Sequence, residues 1–143
     1  MTGGIFVDTN VLLYAVDLAD RGKHASARAW LRMLWETNRG RLSFQVLQEF
    51  LANFERKWPT QRETGRAEVQ DLFAWRPITM NQDILKAGWK LQDRYGFSFW
   101  DSLIVSAAKA GLCAYLLSED FQFGQDIDGL RVIHPFKVRS QDV

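Results

Sequence analysis

The run Ile5-Phe6-Val7-Asp8-Thr9-Asn10-Val11-Leu12-Leu13-Tyr14 constrains the fold most. A short apolar stretch, Ile5 to Val7, reads as a buried strand. Asp8, Thr9 and Asn10 form a polar corner, and a helical turn starts at Val11. A carboxylate just past a buried strand stands where α/β sheets gather ligands, outside the carboxyl ends of the strands. Asp, Thr and Asn are also the ordinary caps of a helix start. Asp8 therefore acquires chemistry only if other carboxylates converge on it.

The order of the remaining elements shows which acids can do so. After a polar break over Asp17 to Lys23, His24 to Asn38 is helical, with Ala27, Trp30, Leu31 and Leu34 on one face. Leu42-Ser43-Phe44 reads as a short second strand. A helix from Gln45 to Trp58 buries Leu47, Phe50, Leu51, Phe54 and Trp58, and Pro59 ends it. Glu49 lies on the other face of that helix, near Gln45 and Gln48, where a lone glutamate is simply solvated. A further helix carries Val69, Leu72 and Phe73. Arg76 to Thr79 is extended and suits a sheet edge because of Pro77. Asn81 to Tyr95 is helical, with Lys86, Lys90 and Arg94 along one side, either an exposed face or a track for phosphates. Ser102 to Gly111 is a helix apolar on nearly all sides, with Asp101 at its N-terminus. Ala114 to Leu117 is a buried strand leading to Ser118-Glu119-Asp120, and Leu130 to Ile133 is the last strand. Strands alternating with helices indicate an α/β chain with a mainly parallel sheet and right-handed crossovers.

Composition limits the alternatives. With 143 residues, 47% of them hydrophobic, the chain is expected to form one domain, 1–143, with an ordinary core. Its single cysteine, Cys113, leaves no internal disulfide. No apolar run reaches the roughly 20 residues of a membrane span, and the N-terminus does not read as a signal peptide. A cytoplasmic location without membrane association is expected. The formal net charge is +1. Gathering several acids in one site would leave the remaining surface mildly basic, a layout that suits a polyanion.

In a parallel sheet, the loops after strands and the starts of helices share one edge. That edge would collect Asp8, Asp101 and Asp120, and Glu49 joins them if its helix flanks the same cleft. Close carboxylates need a proton or a cation. Their hard oxygens suit Mg²⁺ or Mn²⁺, ions that assist phosphoryl displacement. His24 and His134 are isolated and give no zinc pattern. No Walker A motif or dinucleotide glycine fingerprint is present.

Four blocks resemble the PIN-domain nucleases. They are Asp8-Thr9-Asn10-Val11-Leu12-Leu13-Tyr14, Ser43 to Phe50, Phe97 to Ile104, and Leu117 to Phe121. They occur in the family's order over nearly the whole chain, and the short chain is most similar to VapC toxins of type II toxin–antitoxin systems. The resemblance implies a three-layer α/β/α sandwich with a central, mainly parallel sheet. It implies a Mg²⁺- or Mn²⁺-dependent endoribonuclease that cuts structured RNA such as tRNA or rRNA. The family's acids fall on Asp8, Glu49, Asp101 and Asp120, and its small polar positions on Thr9, Asn10 and Ser118. Asp8 and Asp101 would be the principal metal ligands, with Glu49 and Asp120 completing the pocket and orienting the attacking water. A homodimer and a VapB-like antitoxin are the partners so implied. Trp30, Trp35, Phe54 and Trp58 are candidates for an antitoxin groove or for the core.

One rival class is a PIN-like module that binds RNA or protein without cutting, since acids alone do not prove turnover. A haloacid-dehalogenase-like phosphatase needs a second Asp two residues after the first, where this chain has Asn10. A receiver domain needs an acidic pair beside Asp8 that the sequence lacks.

Overall fold

The computed structural model describes residues 3–143. Met1 and Thr2, part of the N-terminus read as lacking a signal peptide, lie outside them. The chain runs β1 (Gly4–Val7), α1 (Thr9–Val16), α2 (Arg21–Thr37), β2 (Gly40–Arg41), α3 (Phe44–Lys57) and α4 (Arg62–Leu72). A 3-10 turn, Phe73–Trp75, precedes α5 (Gln82–Tyr95) and α6 (Phe99–Ala110). Then come β3 (Cys113–Leu117), β4 (Asp126–Ile127) and β5 (Leu130–Ile133).

The five strands form one sheet in the order β2-β1-β3-β5-β4. Every pairing is parallel except that of β4 with β5. β1 is flanked by strands on both sides, and Ile5, Phe6 and Val7 are fully buried. This is why its sequence is continuously apolar instead of alternating. The helices pack in two groups, α1 to α4 and α5 with α6, and α6 also packs on β3. The α/β sandwich with a mainly parallel sheet expected from the sequence is the observed architecture. Among the described residues no helix is long and apolar enough to cross a membrane.

Several local expectations need correction. The second strand is Gly40–Arg41, not Leu42 to Phe44. Ser43 is the N-cap of α3, its Oγ accepting from the Val46 N–H at 3.3 Å, and this draws Phe44 into the helix. Arg76 to Thr79 contributes only an isolated bridge, Ser43 with Ile78, and no edge strand. The helix placed at His24 already begins at Arg21, capped by Asp20. Asp101 is not the cap of α6. Ser98 holds that place and accepts from the Asp101 N–H at 3.1 Å, so Asp101 lies inside the first turn. β4, at Asp126–Ile127, is a strand for which the sequence offers no alternating pattern. Asp128 and Gly129 between β4 and β5 have φ of 50° and 95°, the positive pair of a type I′ hairpin turn.

The aromatic supply divides between core and surface. Trp30 is 1% exposed, and its indole N–H donates to the carbonyls of Pro135 at 2.9 Å and Val138 at 3.2 Å, fastening the C-terminal segment. Phe54 is also buried, so neither residue is available to a groove. Trp35 is exposed and Trp58 half-buried.

Candidate active site

The carboxyl end of β1 delivers Asp8, and the carboxyl end of its neighbour β3 delivers Ser118 and Asp120. The Asp8 N–H donates to the Leu117 carbonyl at 3.1 Å, which fixes the two ends beside each other. Asp8 caps α1, its Oδ1 accepting from the Thr9 N–H at 2.8 Å. Its Oδ2 accepts from the Ser118 hydroxyl at 2.7 Å. The Ser118 Oγ in turn accepts from the Asp120 N–H at 3.0 Å. One serine thus fixes Asp8 and the loop carrying Asp120 at once.

Asn10 and Thr9, in the first turn of α1, extend the group. The Asn10 Nδ2 donates to Asp120 Oδ2 at 2.9 Å, with longer approaches of 3.4 Å to Asp8 Oδ2 and Ser118 Oγ. These acceptors set the orientation of the amide. The Thr9 hydroxyl donates to Glu49 Oε1 at 2.6 Å, so packing of α1 on α3 brings Glu49 to the group. Glu49 is half-buried rather than solvated. Gln45, one turn earlier, reaches Glu49 Oε2 at 3.4 Å and the Trp100 carbonyl at 3.2 Å. That bridge links α3 to the first turn of α6, where Asp101 lies.

Electrostatics joins the four acids. Burial pushes the Asp8 carboxyl up to about 6, against hydrogen bonds from Ser118 and the Thr9 N–H, and the charges of Asp120 and Glu49 push the same way. Asp101 is also raised, first by partial burial, with Asp120 and Glu49 again adding to the shift.

Among the described residues, no three Asp, Glu, His or Cys side chains stand close enough together to hold an ion directly. Mg²⁺ usually keeps several waters and uses only one or two carboxylates, so a hydrated ion does not require such a cage. Two observations fit one. Asp8 and Asp101 are acids raised first by burial, with the like charges of Asp120 and Glu49 adding to the shift. The Asn10 Oδ1 is a buried carbonyl oxygen without a hydrogen-bond partner. Hard, anionic and carbonyl oxygens at one sheet edge are the donors such a cation takes.

All seven sequence-predicted positions lie at this edge. Asp8, Thr9, Asn10, Glu49, Ser118 and Asp120 share one hydrogen-bonded network, and Asp101 stands beside it. Ser98 was not foreseen in its role of fixing Asp101. Its signal was the Ser-x-x-Asp pattern ahead of an apolar run.

The PIN domain family model matches residues 5–125. No curated protein matches the chain by sequence. Among solved structures, a toxin–antitoxin complex from Klebsiella pneumoniae is similar with a TM-score of 0.63 and 20% identity, over 92% of this chain and 97% of that one. Mycobacterium tuberculosis VapC20, a sarcin-ricin loop cleaving toxin, is similar at 0.64 and 19%, over 82% and 92%. VapBC2 from Rickettsia felis, bound to a DNA fragment from its promoter, is similar at 0.61 and 19%, over 90% and 96%. These likenesses speak for the fold. Matched by the family's model over most of its length, the chain belongs to the PIN-domain family.

Proposed function

We propose that the chain is a Mg²⁺- or Mn²⁺-dependent endoribonuclease, the toxin of a type II toxin–antitoxin pair, with residues 1–143 forming one PIN domain. The observation that carries this reading is the meeting of four carboxylates at one sheet edge, one of them, Asp8, buried and held up to about 6. A structural cap has no use for a carboxyl in that state, whereas a cation site does.

Asp8 and Asp101 would hold the ion, which would supply charge neutralisation at the scissile phosphate and a lowered pKa for water. The chain's own residues orient the reactants. Ser118 and the Thr9 N–H fix Asp8 in one rotamer through its two oxygens. Glu49 has Oε1 occupied by the Thr9 hydroxyl, leaving Oε2, with only a long approach from Gln45, to orient the attacking water. Asp120, positioned by Asn10, completes the pocket. The substrate is structured RNA, tRNA or rRNA, in the cytoplasm. A homodimer restrained by a VapB-like antitoxin completes the system. A similar structure of a sarcin-ricin loop cleaving toxin supports the choice of an RNA substrate, and those of toxin–antitoxin and VapBC assemblies support the antitoxin partner.

A second reading, RNA or protein binding without turnover, draws on the spacing of the acids, no three of which close on an ion. Induced expression of the parent beside Asp8→Asn and Asp101→Asn, with new RNA 5′ ends mapped, separates the two. The nuclease reading expects growth arrest with discrete cleavage, both lost in each variant. Arrest that survives both substitutions would favour binding alone.

A further inference from the structure

A cleft of about 620 Å³ opens directly beside the acidic edge, between α1 and the C-terminal half of α3. Asn10 lines it and also donates to Asp120, so cleft and acids are contiguous. Tyr14 and Trp58 supply aromatic surface, and Arg56 and Lys57 supply charge. The volume lies in the ordinary range for a small-ligand site.

The charges of the cleft are not interchangeable. Its acids already have structural work: Asp17 pairs with Lys57, Asp20 caps α2, and Glu119 pairs with Lys23 at 3.0 Å. Arg56, by contrast, has no carboxylate partner among the described residues. Its guanidinium donates only to the Asn53 Oδ1, and the Asn53 Nδ2 donates to the Glu49 carbonyl at 2.8 Å. One side of α3 therefore runs from Glu49 through Asn53 to Arg56. Two helical turns, about 11 Å, separate the acid from the free cation. A strand whose phosphate is attacked at the acids would bring a neighbouring phosphate to Arg56.

We infer that this cleft is a subsite for an unpaired nucleotide flanking the scissile phosphate, with Arg56 holding a phosphate and Trp58 stacking the base. The inference rests on the nuclease reading above. Single-stranded RNA is recognised by aromatic stacking together with cations along the backbone, and both lie here within one turn of α3's end. The half-buried Trp58 ring is braced by Phe54 at a centroid distance of 4.8 Å, and the Lys57 Nζ lies 5.3 Å from its centroid, so the ring is already ordered and a base would stack on it beside that cation.

The test is equilibrium binding of a fluorescein-labelled, mixed-sequence single-stranded oligoribonucleotide in EDTA. All proteins carry Asp101→Asn so that no turnover intervenes. Arg56→Gln, Trp58→Ala and Trp58→Phe are compared with Arg131→Gln, an exposed position on β5 that does not line the cleft. Loss of stacking should weaken binding by about fivefold or more in Trp58→Ala, and Trp58→Phe should restore most of it. Arg56→Gln should weaken binding and lower the slope of log K against log salt by about 0.7, the signature of one lost phosphate contact on a single strand. Arg131→Gln should bind as the parent does. Unchanged affinity and salt slope in Arg56→Gln and Trp58→Ala would overturn the subsite. Cleavage by the Asp101 parent with Mn²⁺, measured alongside, reports separately on the nuclease reading. Thermal melting identifies a Trp58→Ala protein that has merely lost its fold, and the exposed Arg56 keeps the inference testable in that event.

Discussion

At the scale of single residues, the site trades stability for charge. Asp8 has a folded-state pKa of about 6, above the ordinary value of 3.8. The folded protein therefore binds its proton more tightly than the unfolded chain does. The stabilising contribution of protonated Asp8 is full at low pH and is lost as pH rises through about 4 to 6. Asp8→Asn should remove that slope and make the protein more stable at neutral pH by about 1 to 3 kcal/mol. Urea denaturation of parent and variant across this range measures both effects. Metal affinity runs the other way: Mn²⁺ competes with the proton for Asp8, so its binding to the metal-free protein should tighten as pH rises through about 4 to 6, as calorimetric titration measures. Thr9→Val tests positioning. It removes the hydroxyl that holds Glu49 at 2.6 Å while keeping the shape, and should lower the cleavage rate by about tenfold with little change in fold. Asp8 was legible in the sequence because a strand, a carboxylate and a helix start follow one another in the chain. Glu49 was legible only through the family resemblance, because its distance from Asp8 depends on how α1 packs on α3, and no local pattern encodes that.

At the scale of elements, caps and close approaches set where the acids stand. Ser98 fixes the first turn of α6 through the Asp101 N–H. Ser98→Ala should cost about 1 kcal/mol, and it should lower activity more than that loss implies, whereas Ser98→Asp should keep the stability. Paired denaturation and cleavage assays distinguish these results. Gly65 in α4 marks a second constraint. A Cβ there would stand 2.6 Å from Phe54 Cδ1, against the ring that braces Trp58. Gly65→Ala should destabilise by about 1 to 2 kcal/mol, overpacking outweighing the gain in helix propensity. Periodicity located most helices, since one-sided burial imprints a repeat on the sequence. It misjudged several starts where a polar cap preceded the apolar residues, as at Asp20, Ser43 and Ser98, though not at Asn81. The β4–β5 hairpin was missed although Asp128-Gly129 is its ordinary turn signal, because strands as short as Asp126–Ile127 carry no alternation.

At the scale of the whole molecule, the parallel strands β1 and β3 send Asp8 and Asp120 to one edge, and α3 and α6 bring Glu49 and Asp101 to it from the flanks. The sheet order allows this with short connections: Asp8 and Ser118 follow directly on paired strands. A cation recognised by that edge should stabilise only the folded state. Mn²⁺ in excess should raise the melting temperature of the parent, by about 1 to 3 kcal/mol in stability at ten to a hundred times its dissociation constant. The rise should be smaller in Asp8→Asn and Asp101→Asn.

The most direct measurement is single-turnover cleavage of a mapped RNA substrate by purified protein in Mn²⁺, for the parent, Asp8→Asn, Asp101→Asn and the double variant. Acids that act as one site should fail as one. Each single substitution should reduce the rate by at least about a hundredfold, and the double variant should be scarcely worse than either. Independent, multiplying losses, or cleavage that persists in both single variants and in EDTA, would contradict a single metal-dependent site at the edge of this sheet.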